Sequence, residues 1–183
     1  ERFIPASAGR PTLIKGNTQL LFGNMGRLSE NCVLDIKNKS FAVTADLEVP
    51  GEGAVGVIIA QGGRFGGWSL YANDGRAKFY YNVLGIKSFS IDAAAPVPTG
   101  TTQVRMEFDY DGGGMGKGGT VTLYYDGTAV GSGRVEQTQG VVFSADETTD
   151  VGRETGTMVS PDYTAHTSRF TGKISWVQID LGE

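Results

Sequence analysis

Apolar and polar residues alternate along much of this chain. Phe41, Val43, Ala45, Leu47 and Val49 occupy one phase; Ala42, Thr44, Asp46 and Glu48 occupy the other. A period of two predicts a strand with one face in a core and one in water. Pro50-Gly51 closes it, and Ala54 to Ala60 is so uniformly apolar that it predicts an interior strand. Gly66 to Asn73 predicts a further strand, turned by Asn73-Asp74-Gly75 into Ala77 to Asn82, because an Asp-Gly pair tolerates positive φ. Ile86 to Ile91 follows. Val104, Met106, Phe108 and Tyr110 then alternate with Arg105, Glu107, Asp109 and Asp111. Val121, Leu123 and Tyr125 do the same before a second turn at Asp126-Gly127, and Ala129 to Val135 completes that hairpin. Shorter strands are expected at Gly140 to Ser144 and Thr149 to Gly152. The last run, Phe170 to Leu181, changes phase between Trp176 and Val177, which predicts a bulge or a strand covered on both sides.

No three-turn amphipathic helix interrupts this series. Ten or more strands joined by short glycine turns predict an all-β, two-sheet antiparallel jelly-roll sandwich. Residues 1–30 are punctuated by Pro5, Pro11, Gly9, Gly16, Gly23 and Gly26, so they are expected to link or wrap a domain spanning 31–183. Glycine accounts for 28 of the 183 residues, roughly twice the usual share, as many tight turns require.

Composition removes several functions. Sixteen Lys and Arg against twenty Asp and Glu give a net charge of −4, which disfavours nucleic acid as a partner. One cysteine, Cys32, forms no intrachain disulfide, and one histidine, His166, leaves little room for a zinc cluster. No run approaches 18 apolar residues, so no membrane span is expected. The chain starts at Glu1 rather than Met, which reads as a processed product or a piece of something longer.

Two glycine-rich runs invite chemistry. Asp111 to Thr120 contains Gly-Lys, but Asp111 and Gly118 stand where a phosphate loop needs Gly and Ser or Thr, and it joins two strands. A turned connection is the expectation. Gln61-Gly62-Gly63-Arg64-Phe65-Gly66-Gly67-Trp68 sets an arginine and two aromatics beside permissive backbone, as a sugar platform would. Trp68 also begins a strand, so a core tryptophan competes with that reading. Tyr80-Tyr81 and Tyr124-Tyr125 each place one ring inward and one outward; the ligand candidates are Arg64, Trp68, Tyr81 and Tyr124. Glu107, Asp109 and Asp111 share a strand face, as catalytic carboxylates of some sandwich glycosidases do, but Gly112 stands where that signature closes with a glutamate. No catalytic residue is expected in this chain. Asp146, Asp150 and Asp162 lie in a loop-rich acidic stretch with Glu147 and Glu154 and are the candidates for a calcium ion, the one cofactor considered.

Val121 to Gly127, Asp150-Val151-Gly152 and Phe170 to Ile179 together resemble the closing half of a concanavalin A-like, or laminin G-like, jelly roll. The runs Asn38 to Pro50, Gly56 to Tyr71, Glu107 to Val121 and Asp146 to Gly156 resemble the C-terminal, non-catalytic region of large bacterial arylsulfatases. That resemblance implies an accessory domain packed on an upstream sulfatase catalytic domain, in a bacterial parent that is periplasmic or secreted, with the cytoplasm left open. The sulfatase nucleophile motif has no counterpart here, since Cys32 is followed by Val-Leu-Asp. The alternative function is a carbohydrate-binding module for glycans, sulfated ones included, that uses an aromatic and arginine surface.

Overall fold

The computed structural model describes residues 13–182. Eleven strands run through them: β1 (Thr18–Phe22), β2 (Phe41–Val49), β3 (Gly56–Gly63), β4 (Gly66–Asn73), β5 (Arg76–Val83), β6 (Lys87–Asp92), β7 (Gly100–Tyr110), β8 (Gly119–Tyr125), β9 (Thr128–Val135), β10 (Thr149–Val151) and β11 (Lys173–Leu181). A 3-10 turn covers Glu30–Cys32. No helix among the described residues is long and apolar enough to cross a membrane. One sheet has six strands in the order β1-β11-β2-β7-β8-β9; the other has five, β10-β3-β4-β5-β6. Every pairing is antiparallel.

The period-two pattern maps directly onto the two layers. Val43, Ala45 and Leu47 of β2, Val104 and Met106 of β7 and Leu123 of β8 face inward from the six-stranded sheet and are buried. They meet Ile59, Trp68, Leu70, Phe79 and Tyr81 of the five-stranded sheet in one core. Burying such side chains stabilises the fold by roughly 1.5–3 kcal/mol each before the entropy of ordering is counted. Both Asp-Gly turns adopt the expected conformation, with φ of 48° and 74° at Asp74-Gly75 and 47° and 81° at Asp126-Gly127. The change of phase in the last run is a bulge between Ile174 and Trp176.

Three features depart from the pattern or extend it. Gly140 to Ser144 is not a strand. It crosses the end of the sandwich, where Phe143 is buried and its N–H donates to Glu30 Oε2 at 3.1 Å. Within residues 1–30, the described part joins the two sheets at their edges. β1 pairs with β11, and Leu28 exchanges backbone hydrogen bonds with Thr149 of β10. Covering sheet edges in this way removes unpaired backbone groups from solvent. Finally, β3 is buried along its whole length because residues 153–172 form a strap over the outer face of its sheet. Tyr163 of that strap packs on Val57, Ala60 and Tyr71 in a second, small cluster. Its ring lies edge-on to Tyr71 at 5.0 Å, and its hydroxyl donates to Ser69 Oγ at 2.8 Å.

Candidate binding groove

The two hairpin tips at one end of the five-stranded sheet depend on glycines whose backbone leaves little room for a Cβ. A Cβ on Gly67, at φ 153°, would stand 2.2 Å from the Gln61 carbonyl oxygen, and one on Gly62 would stand 2.2 Å from that of Gly66. The paired glycines let β3 and β4 close tightly and push Arg64 and Phe65 out at the tip. The β5–β6 tip follows beside it, with Leu84 and Gly85 both at positive φ. A Cβ on Gly85 would come 3.1 Å from the Arg64 carbonyl oxygen, so the two tips touch.

Asn82 fastens them together. Its Nδ2 donates to the Arg64 carbonyl at 2.8 Å, and its Oδ1 accepts the Gly85 N–H at 2.9 Å. The strap holds the third side: the Arg64 N–H donates to Thr157 Oγ1 at 2.9 Å, and that hydroxyl donates to Glu147 Oε1 at 2.7 Å. Between tips and strap lies a groove of about 620 Å³, walled by Phe65 and Ile86 on one side and Met158 and Ser160 on the other. Tyr80 and Asn82 of β5 and Ser88 of β6 line it from the outer face of the sheet. Phe65 is 72% exposed and Ile86 80%.

Two other depressions differ in chemistry. On the outer face of the six-stranded sheet, Arg105, Glu107 and Tyr124 line a shallow hollow of about 550 Å³. Its polar groups already serve one another. Arg105 Nε donates to Glu107 Oε1 at 2.8 Å, Arg105 Nη1 to Thr44 Oγ1 at 2.7 Å, and the Tyr124 hydroxyl to Glu107 Oε2 at 2.9 Å. Burial pulls the Glu107 carboxyl up, but these hydrogen bonds outweigh it and hold the group below the usual carboxylate range. A third pocket of about 370 Å³ at the sandwich end is lined by Glu30, Asp35, Asp146 and Glu147, with Lys37 committed to Glu30 and Asp35 at 2.5 and 2.7 Å.

The four ligand candidates therefore part company. Arg64 lies in the groove. Trp68 is fully buried, its Nε1 donating to Gln61 Oε1 at 3.0 Å and its ring 6.1 Å from both Phe41 and Phe79. Tyr81 is 3% exposed, and its hydroxyl accepts the Gln139 N–H at 3.0 Å. Both rings belong to the core and reach no ligand surface. Tyr124 points outward, on the opposite sheet from Arg64. The outward member of the first tyrosine pair is Tyr80, in place of the expected Tyr81. The signal was present: a two-residue turn at Asp74-Gly75 sets Trp68 directly across from Tyr81, so a buried tryptophan requires a buried Tyr81.

The calcium candidates separate as well. Asp150 is buried and accepts the N–H groups of Arg27 and Thr155 at 2.6 and 2.9 Å. Asp162 accepts the Tyr71 hydroxyl and the Lys78 ammonium, each at 2.7 Å, while Asp146 lines the end pocket. Among the described residues, no three His, Cys, Asp or Glu side chains gather to hold a metal ion. Asp111 of the carboxylate row is paired with Arg134 at 2.6 Å.

No protein-family model matches the chain, and no curated protein matches it. Solved structures do. The chain is similar to the Ruminococcus gnavus IT-sialidase CBM40, with a TM-score of 0.54 and 16% identity over 80% of this chain and 79% of that one. The same CBM40 bound to α2,3-sialyllactose gives a TM-score of 0.53 at 16% identity, covering 79% and 78%. Domains LG4–5 of the mouse laminin α1 chain give 0.51 at 16% identity over 94% of this chain and 40% of that one. At such identities the likeness establishes architecture: the chain is an all-β, two-sheet antiparallel jelly-roll sandwich of the concanavalin A-like kind.

Proposed function

We propose that this chain is a non-catalytic carbohydrate-binding module and that the groove between the hairpin tips and the strap is its sugar site. The observation that carries the reading is the composition of that groove. It sets the exposed ring of Phe65 and the half-buried ring of Tyr80 beside the uncommitted hydroxyls of Tyr80 and Ser88, on a frame that Asn82, Thr157 and Ser160 hold in place through their own hydrogen bonds. Sugars present apolar C–H faces and rims of hydroxyls, so they need apolar platforms with converging donors and acceptors. A volume of about 620 Å³ suits a short oligosaccharide. The likeness to a CBM40 solved with sialyllactose supports the same reading.

An attachment to an upstream sulfatase catalytic domain rests on the sequence resemblance alone and is compatible with this role, because such a module would then hold the polymer on which its neighbour acts. The test is a glycan array followed by calorimetry on the strongest hit. We expect Phe65→Ala and Tyr80→Ala each to weaken binding about tenfold, ~1.4 kcal/mol, with thermal unfolding little changed. Tyr124→Ala, on the far sheet, should leave affinity alone. Loss of binding in Tyr124→Ala with retention in the other two would move the site to the six-stranded sheet.

A further inference from the structure

The side chains that line the groove carry the reverse of the whole molecule's charge, with the Glu147 carboxylate standing behind the Thr157 wall. The chain carries twenty acidic residues against sixteen basic ones, and the sheet hollow and the end pocket each contain several carboxylates. The groove contains none; its ionic residues are Arg64 and Lys87. Neither side chain enters an ion pair among the described residues, which is true also of surface cations such as Arg76 and Lys117; what sets these two apart is that they line one groove. The backbone around Arg64 is fixed on both sides, through Thr157 and Asn82, while its guanidinium is left free. Lys87 stands at the foot of the same β5–β6 tip, paired with Val83, and lines the same groove as Arg64.

Building on the proposed glycan site, we propose that Arg64 and Lys87 receive an anionic substituent, so that the groove selects acidic sugars over neutral ones. A guanidinium fork matches two oxygens of a sulfate or a carboxylate, and a neighbouring ammonium adds a point charge to the same group. The ring surfaces of Phe65 and Tyr80 take the sugar body, and the bases take its charge. Because both bases are exposed, the preference weakens as salt rises.

The experiment compares matched ligands on the full chain: lactose, 3′-sialyllactose and 3′-sulfolactose, then chondroitin and chondroitin sulfate hexasaccharides, at 50 and 300 mM NaCl. We expect at least one charged member to bind ten times or more tightly than its neutral partner, with a gap that narrows at high salt. A preference for sialyl or for sulfated forms assigns carboxylate or sulfate as the group received. The Arg64→Ala/Lys87→Ala double variant should bring the charged member down to the level of its neutral partner, abolishing the preference; Arg134→Ala, elsewhere on the surface, should keep the preference. Equal affinity for neutral and charged partners overturns the anionic inference and leaves the glycan site standing. Failure of every saccharide overturns both readings. So does Phe65- and Ile86-dependent binding to phosphatidylserine vesicles without any saccharide binding, which would assign the exposed tips to a membrane surface.

Discussion

Glu154 shows how one residue can set the pH response of this fold. It begins the strap, is 4% exposed, and accepts the Val159 N–H at 2.9 Å on Oε1; Oε2 has no partner among the described residues. Burial pushes its carboxyl from about 4.5 up to about 7, and the charges of Asp150 and Glu147 add to the rise. Below 4.5 both folded and unfolded chains hold the proton. Between 4.5 and 7 the folded chain keeps a proton that the unfolded chain has released, so stability falls as pH rises through that window. The loss is complete above 7 and amounts to at most ~3 kcal/mol. Urea unfolding at pH 5 and pH 8 should show Glu154→Gln gaining about 1–3 kcal/mol over the parent at pH 8 only; equal gains at both would assign the effect to packing. Residue identities were legible in the sequence to the extent that phase was. Tyr80-Tyr81 announced one ring in and one out, and the choice between them needed the register across Asp74-Gly75. Nothing local marked Glu154 as buried, because its burial comes from Tyr163 and Val159 closing over it.

Among elements, the hairpins were legible and the strap was not. Alternation, Asp-Gly turns and a bulge predict strands from nearest neighbours alone, so β2, β4, β5, β7, β8, β9 and β11 all appear near their expected places. The strap has no period, and its order comes from contacts far away in sequence, such as Tyr163 on Ser69 and Thr157 on Arg64. Gly140 to Ser144 misled for a related reason: its apolar residues serve to plug the sandwich end, with Phe143 6.2 Å from Tyr81, rather than to extend a sheet. The β3–β4 hairpin joins both kinds of order, since its tight glycine pair makes the tip and the tip makes a wall of the groove. Replacing Gly67 by alanine forces a Cβ against the Gln61 carbonyl at an unfavourable φ and should cost about 1–3 kcal/mol. Glycan affinity should fall with it, as Arg64 and Phe65 lose their placement. Calorimetry beside a melting curve checks both, and an unchanged melting temperature would mean that the backbone there yields freely.

For the whole molecule, residues 13–30 belong with the sandwich they precede. Leu21 is 1% exposed within the core, and Leu28 closes the edge at Thr149. A chain starting at residue 31 would expose β11 and lose that leucine, a deletion worth ~2–5 kcal/mol, so we expect thermal unfolding roughly 5–15 °C lower. An unshifted transition would return that segment to the role of a linker. The strap has a wider effect on the architecture. By covering much of one sheet and carrying the groove on that side, it leaves the broad polar face of the other sheet, with Thr44, Arg105 and Tyr124, pointing the opposite way. The molecule is therefore two-sided: a surface laid flat against its back would leave the groove on the strap side uncovered.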